Sequence, residues 1–140
     1  MLGRNAIRTI SGLESLAKLD VLDLHNNAIE SVEGLQHVTG LRILNLAGNK
    51  IKSLSHLGGL TKLMELNLRR NLLTSVHAPN SLPRSPVHRL PPALQRLFLS
   101  NNRISLAEDL AALRDLSQLT ELAVDNNPLC TSNKAAYRVN

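Results

Sequence analysis

One spacing recurs five times in this chain and leaves little freedom in how it folds. "LDVLDLHNNAI" from Leu19, "LRILNLAGNKI" from Leu41, "LMELNLRRNLL" from Leu63, "LQRLFLSNNRI" from Leu94 and "LTELAVDNNPL" from Leu119 all obey L-x-x-L-x-L-x-x-N-x-L. Val124 and the isoleucines stand in for leucine. A partial copy, "LGRNAI", begins at Leu2. A unit this short cannot bury its apolar face alone, so the copies must stack and make one continuous core.

Within one unit the central L-x-L reads as a short strand, with its leucines pointing inward and the residues between them pointing out. The asparagine that follows (Asn5, Asn27, Asn49, Asn71, Asn102, Asn127) stacks on its copies. Its amide can donate to one backbone and accept from another where the chain leaves the strand, which makes these residues a structural ladder. In "ESVEGLQHVTG" and "KSLSHLGGLTK" the apolar residues recur every third position: Val32, Leu35 and Val38, then Leu54, Leu57 and Leu60. That spacing suits a tight 3₁₀ arc. This is the leucine-rich repeat pattern, here with a 22-residue period from Leu19 to Leu41 and from Leu41 to Leu63. The fold class it calls for is α/β. It is a right-handed solenoid with a parallel concave sheet and a convex side made mostly of 3₁₀ or short helical turns.

Residues 1–140 then read as a single domain, an excerpt of a longer chain. A partial repeat covers 2–18, repeats start at 19, 41, 63 and 94, and a terminal repeat with its cap fills 119–140. Two repeats are long. The span from Leu63 to Leu94 is 31 residues and holds "HAPNSLPRSPVHRLPP", with five of the six prolines. Proline this dense excludes helix or central strand, so 77–92 is expected to bulge out as a loop. The span from Leu94 to Leu119 holds "SLAEDLAALRDLSQ", whose leucine spacing and Ser105-x-x-Glu108 box predict an α-helix of about three turns. Tyr137 and Arg138 match the C-terminal cap of such arrays.

Stacking the strands in register turns the outward residues into a grid. Its rows are Val21, Asp23, His25; Ile43, Asn45, Ala47; Glu65, Asn67, Arg69; Arg96, Phe98, Ser100; and Glu121, Ala123, Asp125. Strands about 4.8 Å apart bring column neighbours into contact, which predicts a Glu65–Arg96–Glu121 charge ladder. Phe98, the only phenylalanine of the chain, falls on this outward face beside Asn67 and Ala123, diagonal to Arg69. An accessible aromatic flanked by guanidinium groups has the chemistry of a binding hot spot. The candidate partner-binding residues are therefore Phe98, Arg69, Arg70, Arg96 and Asn67, with Val21 and Ile43 as the other outward apolar pair.

Composition narrows the function. There is no run of eighteen apolar residues, so no membrane span is expected. The N-terminus lacks the zones of a signal peptide, and a single cysteine, Cys130, fits a reducing compartment. No catalytic motif is found, the five histidines never pair at ligand spacing, and neither a metal nor a cofactor is expected. The net charge of +5 points to acidic partners. With one Phe, one Tyr and no Trp to stack bases, those partners are expected to be proteins and not nucleic acid.

The stretches "LDVLDLHNN", "LRILNLAGN", "MELNLRRN" and "LQRLFLSNNRIS", followed by "DNNP", resemble the leucine-rich-repeat subunit of the neuronal tubulin polyglutamylase complex over about residues 2–128. The likeness extends to positions that vary among such repeats. It implies a non-catalytic scaffold, a monomeric domain within a hetero-complex, at microtubules or cilia, with tubulin or ligase-complex subunits as partners. The insertion after Val76 departs from the even repeats of that family. Regulatory subunits of protein phosphatase 1 and axonemal dynein-associated repeat proteins share the architecture and are the alternatives.

Overall fold

The computed structural model describes residues 6–13, 15–54, 57–76, 90–106, 110, 113–114 and 116–129. Five three-residue strands follow the repeats: β1 (Val21–Asp23), β2 (Ile43–Asn45), β3 (Glu65–Asn67), β4 (Arg96–Phe98) and β5 (Glu121–Ala123). They form one parallel sheet in the order β1-β2-β3-β4-β5. Register is unbroken: Leu22, Leu44, Leu66, Leu97 and Leu122 stand opposite one another in turn. The pairing of β3 with β4 is as regular as the others, although residues 77–92 lie between them in sequence.

The core is the inward half of this alternation. Leu44, Leu46, Leu66, Leu68, Leu97 and Leu99 are fully buried in the middle of the array, whereas Leu22 and Val124 near its ends keep 7% and 8% exposure. An inner rung has a neighbour on both sides and an end rung on one, as nearest-neighbour stacking requires. On the opposite side the three-residue apolar spacing closes i→i+3 backbone bonds. Val38 N–H donates to Leu35 O at 3.1 Å, Leu41 to Val38 at 3.2 Å, Leu60 to Leu57 at 3.0 Å and Leu63 to Leu60 at 3.2 Å. A 3₁₀ turn at Leu35–His37 is the regular form of this arc. Its N-cap Gly34 has φ 107°, and a Cβ there would lie 2.2 Å from Ile10 O, so only glycine lets the arc approach the preceding turn.

The partial repeat docks on the first full one, with Ala28 N–H donating to Ile7 O at 2.8 Å. In the 25-residue repeat, Leu116 N–H donates to Leu113 O at 3.1 Å, again the 3₁₀ bond. The described positions Leu110, Leu113 and Arg114 are 3₁₀ in place of the α-helix of about three turns expected there, and Leu90, near the end of the expected 77–92 loop, packs into the core. The rest of that helix, most of the Pro-rich insertion and the cap residues Tyr137 and Arg138 lie outside the described residues. Among the described residues no helix is long and apolar enough to cross a membrane.

Candidate functional site

Alternation along each strand fixes which side chains meet on the concave face. Its first column is Val21, Ile43, Glu65, Arg96, Glu121 and its second Asp23, Asn45, Asn67, Phe98, Ala123. The first column changes character along the array. Val21 and Ile43 are 51% and 37% exposed, forming a small apolar step. Beyond them Arg96 Nη1 lies 3.3 Å from Glu65, and its Nε lies 3.9 Å from Glu121. Arg96 is thus already partnered on both sides by the sheet itself.

The second column has an internal task that the grid of outward residues did not reveal. Asp23 Oδ1 accepts the His25 N–H, Asn45 Oδ1 accepts that of Ala47 and Asn67 Oδ1 accepts that of Arg69, each at 3.1 Å. These i→i+2 bonds hold the end of each strand. Asn67 therefore fixes the backbone of Arg69. In the next rung the column holds Phe98, which has no such acceptor, and its half-buried ring instead carries Arg69, whose Cζ sits 4.2 Å from the ring centroid. Sequence reading placed Arg69 on the diagonal of Phe98; the stacking itself depends on a rotamer that strand alternation does not determine.

The chain leaves each strand through the asparagine ladder. Asn71 Nδ2 donates to Leu46 O of the preceding repeat at 2.9 Å and to Leu68 O of its own at 3.1 Å, while its Oδ1 accepts Ile51 N–H at 3.0 Å. Asn49, Asn102 and Asn127 repeat the pattern, and Asn27 Oδ1 reaches back to Ile7 N–H at 3.2 Å. The residue before each ladder asparagine is left-handed: Asn26 at φ 55°, Gly48 at 72°, Arg70 at 57°, Asn101 at 60° and Asn126 at 58°. Asparagine and glycine adopt that region readily; arginine does so at a cost of about 1–2 kcal/mol. The signal was present in the sequence as H-N-N, A-G-N, R-R-N, S-N-N and D-N-N, where one column reads Asn, Gly, Arg, Asn, Asn.

Charges sort by edge. Where the strands begin, Arg42 clasps Asp20 of the preceding repeat through Nε–Oδ1 and an Nη2–Oδ2 bond of 2.6 Å. The guanidinium holds the Asp20 carboxyl below its ordinary range and is itself raised. On the concave face, desolvation pushes Asp23 up, but the hydrogen bonds from the His25 ring and amide outweigh it and leave that carboxyl low. Asp125 is engaged by the Ser100 hydroxyl. Where the strands end, Lys50, Arg70 and Arg103 are exposed and Arg69 half-buried. None of these four makes an ion pair among the described residues. No group of three potential metal ligands is found among the described residues.

A family model described as Leucine Rich repeats (2 copies) matches residues 39–83, and one described as Leucine Rich Repeat matches 93–114. No curated protein sequence matches the chain. Among solved structures the chain is similar to an internalin from Listeria monocytogenes, at 28% identity and TM-score 0.71, covering 88% of this chain and 33% of that one. It is also similar to a leucine-rich-repeat protein of Leptospira interrogans, at 28% identity and TM-score 0.67, over 84% of this chain and 29% of that one. A chain of the Drosophila melanogaster SNF/U2A′ complex shares the fold at 24% identity and TM-score 0.68, over 79% of this chain and 60% of that one. The chain thus spans less than two thirds of each of these matched structures.

Proposed function

With a leucine-rich-repeat protein as the premise, a fold whose members are generally non-catalytic interaction scaffolds with protein partners, we propose that this chain binds a protein through its concave face. The contact centres on Phe98 with Arg69 stacked upon it. That stacked pair is the observation that carries the reading. An aromatic ring on a preformed sheet, with the Arg69 guanidinium stacked upon it and the Arg69 backbone held by Asn67, presents a contact with little side-chain freedom left to lose on binding. Arg96 is held between two glutamates and serves the sheet first. Val21 and Ile43 form a second, apolar contact toward the N-terminal end.

In its finer form, the protein is a scaffold subunit of a tubulin-modifying complex, of the polyglutamylase kind, in the cytoplasm at microtubules, cilia or flagella. The likeness of the "DVLDLH", "NLA" and "QRLFLS" stretches to the repeat subunit of such a complex supports this. The test is affinity purification of the full chain and its Phe98→Ala variant from ciliated cells. A tubulin ligase in the wild-type eluate, falling by about 2 kcal/mol in affinity or roughly thirtyfold in the variant, is the expected result. Recovery of phosphatase catalytic subunit or dynein chains in its place would assign the chain to one of the alternative scaffolds. Recovery that ignores Phe98 would move the contact to Val21 and Ile43.

A further inference from the structure

Taking the concave face as a protein-binding surface, we infer that the edge where the strands end is the docking site for an extended acidic peptide, running across the rungs past Lys50, Arg69, Arg70 and Arg103. Three observations carry this. These cations occupy the exit turns of three consecutive rungs, and among the described residues none has a carboxylate partner, in contrast to Arg42 and Arg96 at the other edge. Arg70 holds a left-handed conformation that its counterparts give to asparagine or glycine. A long cation kept at a backbone position that disfavours it marks a site where the side chain has a use beyond folding. Arg69 is fixed on the Phe98 ring, so its charge is preorganised beside the rim.

The geometry selects the form of the ligand. Successive rungs lie about 4.8 Å apart, so the rim from Lys50 to Arg103 covers roughly 10 Å. An extended chain advances about 3.3–3.6 Å per residue, so consecutive carboxylates can keep pace with the rungs without a fixed register. That favours a run of glutamates or aspartates over a single anion. Nucleic acid is the less suited polyanion. The chain has one Phe, one Tyr and no Trp to stack bases, and the phenylalanine ring already carries Arg69.

The test is fluorescence anisotropy of the full chain with a labelled oligoglutamate of about ten residues, long enough to cross all five rungs. A labelled oligothymidine of the same length is run in parallel. Binding of oligoglutamate that weakens from about 0.01 M to about 0.15 M salt, as the Debye length falls from about 30 Å to about 8 Å, is expected. Combined Lys50→Glu, Arg70→Glu and Arg103→Glu should weaken it by more than about tenfold. Arg42→Glu, the same kind of charge reversal at the other edge, should leave it within about twofold. Arg70→Gly, which relieves the left-handed turn and so does not endanger the fold, should also weaken it. Absent binding, equal loss from reversals at either edge, or tighter binding of oligothymidine would each overturn the inference. Ligase recovery that depends on Phe98 without oligoglutamate binding would defeat this inference and leave the scaffold reading standing. Rim-dependent oligoglutamate binding without ligase recovery would do the reverse.

Discussion

The two edges of this sheet solve the same problem with different chemistry. Where the strands begin, adjacent repeats are tied by exposed ion pairs, Arg42 to Asp20 and Arg96 to Glu65 and Glu121. Where they end, the repeats are tied by neutral buried amides, each ladder asparagine bonding its own repeat and the one before it. Neutral ties leave Lys50, Arg70 and Arg103 without an ion-pair partner among the described residues, while Arg69 is stacked on Phe98. The exit edge can therefore hold its shape and still offer charge to a partner, while the entry edge uses its charge on itself.

The strongest way to break this comparison is at the ladder. Asn71→Ala leaves the amide of Ile51 without its acceptor in a buried turn and takes one of two amide donors from each of the Leu46 and Leu68 carbonyls, which keep Asn49 and Asn102, and should lower stability by about 1–3 kcal/mol. Because each rung contacts only its neighbours, the loss should spread to the repeats on both sides. Thermal unfolding in low and high salt gives the measurement. The loss should be equal in both, since no charge is removed, and an unchanged melting temperature would mean that the ladder does not hold the exit edge.

The next effect is smaller and opposite in sign. Arg70→Gly relieves a left-handed arginine and should raise stability by about 1 kcal/mol. If the rim binds acidic peptides, the same change weakens that binding, so stability and affinity should move in opposite directions. A variant destabilised in chemical denaturation would show that the Arg70 side chain supports the turn.

The difference between the edges also marks where the sequence stopped being legible. Strand order, register, the ladder and the Glu65–Arg96–Glu121 column follow from leucines two apart and a fixed rung spacing, because a slip of one residue would turn every apolar side chain to water. The stacking of Arg69 on Phe98, the role of Asn67 in holding the Arg69 amide, and the left-handed column do not follow. They depend on rotamers and turn dihedrals that the hydrophobic period leaves open. Asp20 and Arg42 each sit one residue before a strand, outside the alternation used to build the grid, and their pairing was missed for that reason.

At the entry edge the effects should be slight. Arg96→Ala removes the ion pairs to Glu65 and Glu121 from a side chain that is 58% exposed, and such exposed pairs contribute about 0.2–1 kcal/mol. The loss should shrink as salt rises, opposite to the salt-independent loss at Asn71. A loss as large as that of Asn71→Ala would erase the distinction between the edges.

The smallest effect concerns pH. The Asp20 carboxyl, hydrogen-bonded by Arg42, has a folded pKa below its ordinary value. A group depressed in the folded state adds stability that is present in full above the unfolded carboxylate pKa of about 3.9. That addition fades as pH falls through the folded value. Asp20→Asn should therefore differ from the wild type by a small, constant amount between about pH 5 and pH 7, and the two should converge in more acidic solution. The pair is solvent-exposed, so high salt should close the gap at neutral pH as well. A gap that widens on acidification would place another titrating group at this edge. A gap indifferent to salt would show that the two side chains act through packing, and the entry edge would then resemble the exit edge more than its charges imply.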